Sequence, residues 1–224
     1  MVSSVPEPAP IVVGTRPRLR GNSNSGILPP HLSVTIDTDM PKPIIKGDVR
    51  VLRPMEYEQL WKGARSQENQ TRLDALLLTG LRYVEARRLQ ENPDWLDGRF
   101  IHLPESAQKK VKRQQRERWI RLSDKGRTIV RYFFRTKALP SWSGWSHNLE
   151  RWAEYSKLDP VGLGPKTTRK TWESWLVSSY PERFPEIVVS QGHTTFVAVN
   201  HYLGLPFDRH EKEEMVEWVA GWDK

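Results

Sequence analysis

Cysteine is absent from all 224 residues. That excludes disulfides, zinc–thiolate sites and thiol nucleophiles, and it fits a protein kept inside a cell or exposed to heat, where thiols are a liability. Long apolar runs are absent too. No stretch reaches the ~20 residues of a membrane-spanning helix, so no membrane contact is expected. The start, Met1-Val2-Ser3-Ser4-Val5-Pro6-Glu7, lacks the charged and apolar regions of a signal peptide. A cytoplasmic location is the resulting expectation. Carboxylates are scattered rather than clustered as a Mg²⁺ site requires, and no Gly-x-Ser-x-Gly nucleophile turn occurs. No metal or cofactor is expected.

What is present is a folded chain with a concentrated charge. At 37% hydrophobic and 28% charged residues, the composition is globular rather than disordered. Lys and Arg outnumber Asp and Glu 35 to 27, giving a formal net charge of +8 and a pI near 9.8. A polyanion is the natural partner for such a chain. Between Glu105 and Arg127 stand nine cations and three anions, so one short window carries most of the excess. Such concentration favours nucleic acid over a generally solvated face.

Residues 1–48 are rich in Pro, Ser and Gly and read as an arm or linker, with one short strand at 31–36. Residues 49–224 read as the folded domain. Pro54 opens a helix with acids in its first turn, and further helices are predicted at 71–80, 82–90, 123–137, 146–157, 166–180, 183–190, 195–203 and 208–222. Asp97-Gly98 has the turn chemistry of a hairpin, and Trp119-Ile120-Arg121-Leu122 alternates as a third strand. The basic segment 105–118 then becomes a hairpin tip. The predicted fold class is mainly α with a small antiparallel β-sheet.

Five positions bear on chemistry. Arg82 lies in Thr79-Gly80-Leu81-Arg82-Tyr83-Val84-Glu85, and Arg169 in Lys166-Thr167-Thr168-Arg169. Lys166 and Arg169, spaced i and i+3, put two cations in the first turn of a helix against its dipole, which argues for an anion between them. His193 follows Gly192, and Tyr202 comes nine residues later. Cations flanking a lone histidine and tyrosine suit a phosphodiester held by guanidinium groups and attacked by a phenol. Each residue also has a plain structural alternative: Arg82 paired to Glu85, Lys166 and Arg169 on a solvated basic face with Lys170, His193 as a helix-start residue, Tyr202 as packing.

Taken in order, Thr79-Gly80-Leu81-Arg82-x-x-Glu85, a hairpin lysine, Lys166-x-x-Arg169, Gly192-His193 and Tyr202 resemble the tyrosine recombinase (phage integrase) family over residues 49–224. Most members have histidine where Lys166 stands, and a second histidine is common at the position of Lys170. Lys-x-x-Arg is more similar to the fusellovirus-type integrases of archaeal viruses and plasmids. Lysine neutralises a phosphate oxygen, but with a pKa of about 10.4 it is a poor proton acceptor near neutral pH. The family's helical core-binding domain has no counterpart in residues 1–48, so a catalytic-domain fragment or minimal form is expected.

The resemblance implies the catalytic-domain fold of that family and site-specific DNA cleavage and rejoining without metal or cofactor. Tyr202 would form a 3′-phosphotyrosyl intermediate, and Arg82, Arg169, Lys166 and His193 would hold the phosphate oxygens. Lys109 or Lys110 would protonate the departing 5′-oxygen, and Glu85 would orient an arginine. Lys112, Arg113, Arg116, Arg118 and Lys170 are the further expected DNA contacts. The implied partner is double-stranded DNA in the host cytoplasm and nucleoid, with monomers forming a tetramer on two sites. The stripe Met215, Trp218, Val219 and Trp222 is then expected to dock on a neighbouring protomer. A type IB topoisomerase, a non-catalytic DNA-binding remnant and a scaffolding domain are the alternatives.

Overall fold

Among the described residues, most helix starts can be traced to a capping side chain that the sequence supplies. The computed structural model describes residues 41–107, 117–192 and 204–224, all within a unit that runs from Pro41 to Lys224. The arm with its expected strand, and the expected helix at 195–203, lie outside the described residues.

The body begins with a hairpin, β1 (Ile44–Lys46) and β2 (Val49–Val51), in antiparallel register with Lys46 opposite Val49. Its two-residue turn, Gly47-Asp48, has positive φ at both positions, which matches the twist of the flanking strands. The boundary expected after residue 48 therefore falls inside a turn. Val51 and Leu52 are fully buried, and the Leu52 backbone is bonded on both sides by α6 (Thr167–Ser179): its N–H donates to Thr171 Oγ1 at 2.9 Å and its carbonyl accepts from Trp175 Nε1 at 3.0 Å.

Pro54 opens α1 (Pro54–Gly63), with the Glu56 carboxylate accepting the Arg53 N–H at 2.9 Å. Helix α2 (Gln67–Thr79) starts four residues before the expected site because Ser66 caps it, accepting from the Asn69 N–H at 3.2 Å. It is the central helix, with Leu73, Leu76, Leu77 and Leu78 buried. Around it pack α4 (Asp124–Phe133), α6 and, through α1, α5 (Trp142–Tyr155). Ser123 and Ser141 cap α4 and α5 in the same way, at 3.1 Å each. Helix α5 thus starts before the expected residue 146. Helix α4 ends at Phe133, not 137, and Gln90 Nε2 from α3 (Tyr83–Glu91) binds the carbonyls of Thr136 and Lys137 beyond it.

A three-stranded antiparallel sheet, β3 (Leu96–Asp97), β4 (Phe100–Leu103) and β5 (Arg118–Arg121), follows in sequential order. Alternation sends Ile101, Leu103, Arg118 and Ile120 inward and Phe100, His102, Trp119 and Arg121 outward. The mainly helical fold class with small antiparallel sheets is the one expected.

Helices α7 (Phe184–Gln191) and α8 (Arg209–Val219) complete the described body. Asp208 caps α8 by accepting the Glu211 N–H at 2.8 Å, and the Glu211 carboxylate binds Arg53 Nη1 at 2.6 Å. The apolar stripe of α8 packs on its own chain. Met215, Val219 and Trp222 are fully buried in their own domain, and Trp218 lies edge-on to Tyr57 at 5.3 Å. In the single chain α6 and α1 cover this face, which is the plain packing of an amphipathic helix on its own domain.

A candidate arginine-lined site at the end of helix α7

Glu85 is the hub of the region in which the expected residues meet. It is the third residue of α3, so its carboxylate turns back to accept the Arg82 N–H at 2.9 Å. The same carboxylate binds Arg82 Nη1 at 2.8 Å and takes both nitrogens of the Arg118 fork, at 2.8 and 3.2 Å. Glu85 is fully buried. Burial by itself would raise its pKa, but the Arg118 and Arg82 charges and the Arg118 hydrogen bond outweigh that and hold the group at about 2. The expectation that Glu85 orients an arginine describes this geometry, with two arginines rather than one.

Arg169 comes from the first turn of α6. It is buried, and burial pulls its pKa down to about 10 despite the opposing charge of Glu173. Its Nη1 donates to the Gly80 carbonyl at 2.6 Å, and its Nη2 donates to the Gln191 carbonyl. Arg82 Nη2 reaches the next carbonyl, that of Gly192, at 3.3 Å. Both guanidinium groups thus hold the C-terminal carbonyls of α7, where cations are favoured by the helix dipole. The sequence argument that Lys166 and Arg169 need an anion is overturned for Arg169. Carbonyl oxygens of Gly80 and Gln191 satisfy that cation within the chain.

Two glycines make the approach possible. Gly80 has φ +59° and closes α2; a Cβ there would sit 2.5 Å from Gln191 Oε1 and 2.6 Å from the Trp172 ring. Gly192 has φ +66° and closes α7; a Cβ there would meet Arg118 Nη1 at 2.9 Å. The cluster therefore gathers three guanidinium groups, Arg82, Arg118 and Arg169, around two buried carboxylates, Glu85 and Glu173, an excess of one positive charge. Arg82, a quarter exposed, is the arginine that opens to solvent.

The remaining expected residues divide clearly. Lys166 is exposed at the cap position of α6. Lys170, one turn on, donates to the Lys46 carbonyl of β1, and burial followed by the neighbouring Lys166 charge lowers its pKa. Arg118, expected on the DNA-facing hairpin, is corrected. It occupies an inward position of β5, is 6% exposed and is ion-paired to Glu85, so it serves the cluster rather than a surface. His193, Tyr202, Lys109, Lys110, Lys112, Arg113 and Arg116 lie outside the described residues.

Sequence reasoning missed Arg118, Glu173 and Gln191 as members of the cluster. Arg118 had a readable signal, because it shares strand parity with the core residue Ile120. Glu173 and Gln191 had none beyond helical spacing. Among the described residues no three His, Asp or Glu side chains gather as a cation site would need. Comparison with family models, curated proteins and solved structures finds no match to this chain.

Proposed function

We propose that this chain is a DNA strand transferase of the tyrosine recombinase type, resembling the fusellovirus-type integrases. The observation that carries the reading is the convergence of Arg82 and Arg169, 87 positions apart, on the backbone of Gln191 and Gly192, the residues just before His193. A fixed α7 terminus held by two arginines is what the proposed chemistry needs, since His193 must meet the phosphate in one geometry.

In the proposed reaction the Tyr202 phenol oxygen bonds to the scissile phosphorus as its proton passes to solvent water. The P–O5′ bond breaks, and Lys109 or Lys110 gives a proton to the 5′-oxygen. Arg82, Lys166 and His193 stabilise the charge on the non-bridging oxygens, while Arg169, engaged by the Gly80 and Gln191 carbonyls, holds the α7 terminus beside them. Attack by a free 5′-hydroxyl on the 3′-phosphotyrosine restores the phosphodiester, so the bond energy is retained and double-stranded DNA is the only partner the step consumes.

A DNA-binding protein without chemistry is the second reading, and one observation favours it. Arg169 is buried and already engaged by the carbonyls of Gly80 and Gln191, as a purely structural arginine would be. Covalent trapping separates the two. The protein is incubated with labelled duplexes nicked near candidate cleavage positions, denatured in detergent and resolved by electrophoresis. The strand-transfer reading expects a slowed protein–DNA band that Tyr202→Phe abolishes. Duplex binding with no band in either protein is the outcome of the binding-only reading.

A further inference from the structure

The face of the β3–β5 sheet that points away from the arginine cluster is chemically unusual. Alternation gives Ile101, Leu103 and Ile120 to the core, so the outward positions have no packing duty and would ordinarily be polar. Instead they read Phe100, His102, Trp119 and Arg121. The Trp119 indole is 47% exposed and lies nearly parallel to the His102 imidazole, with centroids 4.4 Å apart and 15° between planes. Phe100 meets Trp119 edge-on at 6.3 Å. Arg121 lies 5.8 Å from the Phe100 centroid and 5.3 Å from that of Trp222.

These rings open into a groove of about 430 Å³ lined by Phe100, Trp119, Arg121, Pro185, Val189 and Trp222. Val189, at its rim, is 70% exposed. The rim carboxylate Glu186 is paired to Arg121 at 3.4 Å and Arg183 at 2.9 Å, and Glu117 is paired to His102 at 3.2 Å. Flat, half-exposed rings interleaved with a guanidinium suit planar π-systems, which stack on indole and on arginine alike. Charge selects the kind of π-system. The sequence between β4 and β5 carries five cations and no anion over residues 108–116, so the strands that build the platform flank the densest run of cations in the sequence, and phosphate is the natural counter-charge.

We propose that the outer face of this sheet, Phe100, His102, Trp119 and Arg121, stacks unpaired nucleobases of a single-stranded or locally melted nucleic acid. Stacking of this kind is indifferent to base identity, because every base has a π-face. The proposal goes beyond strand transfer and involves no cleavage, so a failed trapping experiment leaves it standing, and its own failure leaves strand transfer standing.

Its test measures binding of labelled oligothymidylate and of a labelled duplex by fluorescence anisotropy, with wild type, Trp119→Ala and Trp119→Phe at one salt concentration. Trp119→Ala is expected to weaken oligothymidylate binding roughly 5- to 150-fold, as one lost base–aromatic stack does. Trp119→Phe is expected to retain most of that affinity, and duplex binding to stay within about twofold, as loss of a neutral ring leaves phosphate attraction intact. As a second measurement on wild-type protein, photocrosslinking of a 5-iodouracil oligonucleotide is expected to attach to Trp119, Phe100 or His102. Equal loss for both ligands, no loss for either, no oligothymidylate binding by wild type, or crosslinks confined to other residues would overturn the proposal. So would a Trp119→Ala protein that changes only its self-association in the ultracentrifuge, since the groove would then be a protein interface.

Discussion

Glu85 shows how one carboxylate can set the geometry of two cations from distant parts of the chain. It is fully buried and makes four hydrogen bonds, one to the Arg82 backbone and three to the Arg82 and Arg118 guanidinium groups. Replacing it by Gln keeps the shape but leaves Arg118 buried beside a neutral amide. Breaking a buried pair in this way costs about 3–5 kcal/mol. Glu85→Gln is therefore expected to lower the urea midpoint by that equivalent at pH 7. The pH dependence has a definite sign. The folded-state pKa, about 2, lies below the ordinary 4.5, so the stabilisation is complete above pH 4.5 and is lost as pH falls towards 2. At ~1.4 kcal/mol per unit the whole effect is about 3 kcal/mol. Unfolding curves of wild type and Glu85→Gln should therefore converge across that window; a gap that stays constant to pH 2 would show that the charge of Glu85 is not what holds the cluster.

At the scale of elements, what was legible in the sequence was what local chemistry decides. Pro54, Ser123 and Asp208 announced their helices, and Asp97-Gly98 announced the hairpin. The β1–β2 hairpin was hidden by the proline-rich composition around it, although Gly47-Asp48 between Ile44-Ile45-Lys46 and Val49-Arg50-Val51 carried its turn signal. Candidate arginines could be picked out by motif, but their partners could not. Which carbonyls receive Arg169 depends on how α2, α6 and α7 meet, and no periodicity encodes that. Helix crossing supplies the matching prediction. Gly63, the last residue of α1, lies against α5, where a Cβ would come within 2.0 Å of the Trp152 carbonyl oxygen. Helix propensity alone makes Gly→Ala stabilising by roughly 0.5–1 kcal/mol. The crossing reverses the sign, because backbone cannot yield as a side chain does. Gly63→Ala is expected to destabilise by about 1–3 kcal/mol, the usual range for overpacking, read as a fall in melting temperature. A rise would mean that α1 and α5 separate freely.

For the whole molecule, the division of the basic charge matters more than its total. The net charge of +8 includes arginines that never meet solvent: Arg50, Arg118 and Arg169 are at most 6% exposed and are bound by groups of their own chain. The densest run of cations in the sequence is Lys109, Lys110, Lys112, Arg113 and Arg116, between β4 and β5. Counterion release turns that division into a measurement, since log Kobs falls with log salt by about 0.9 for each duplex phosphate neutralised. Changing all five to Gln is expected to make the salt slope for duplex binding shallower by up to about 4.5, the value for five contacts, with the melting temperature nearly unchanged. Arg118→Gln is expected to do the reverse, lowering the melting temperature while leaving the slope of the remaining folded protein as it was. If the five-fold substitution leaves the slope unaltered, duplex DNA is held elsewhere, and exposed Lys166 and the solvent-facing part of Arg82 become the cations to change next.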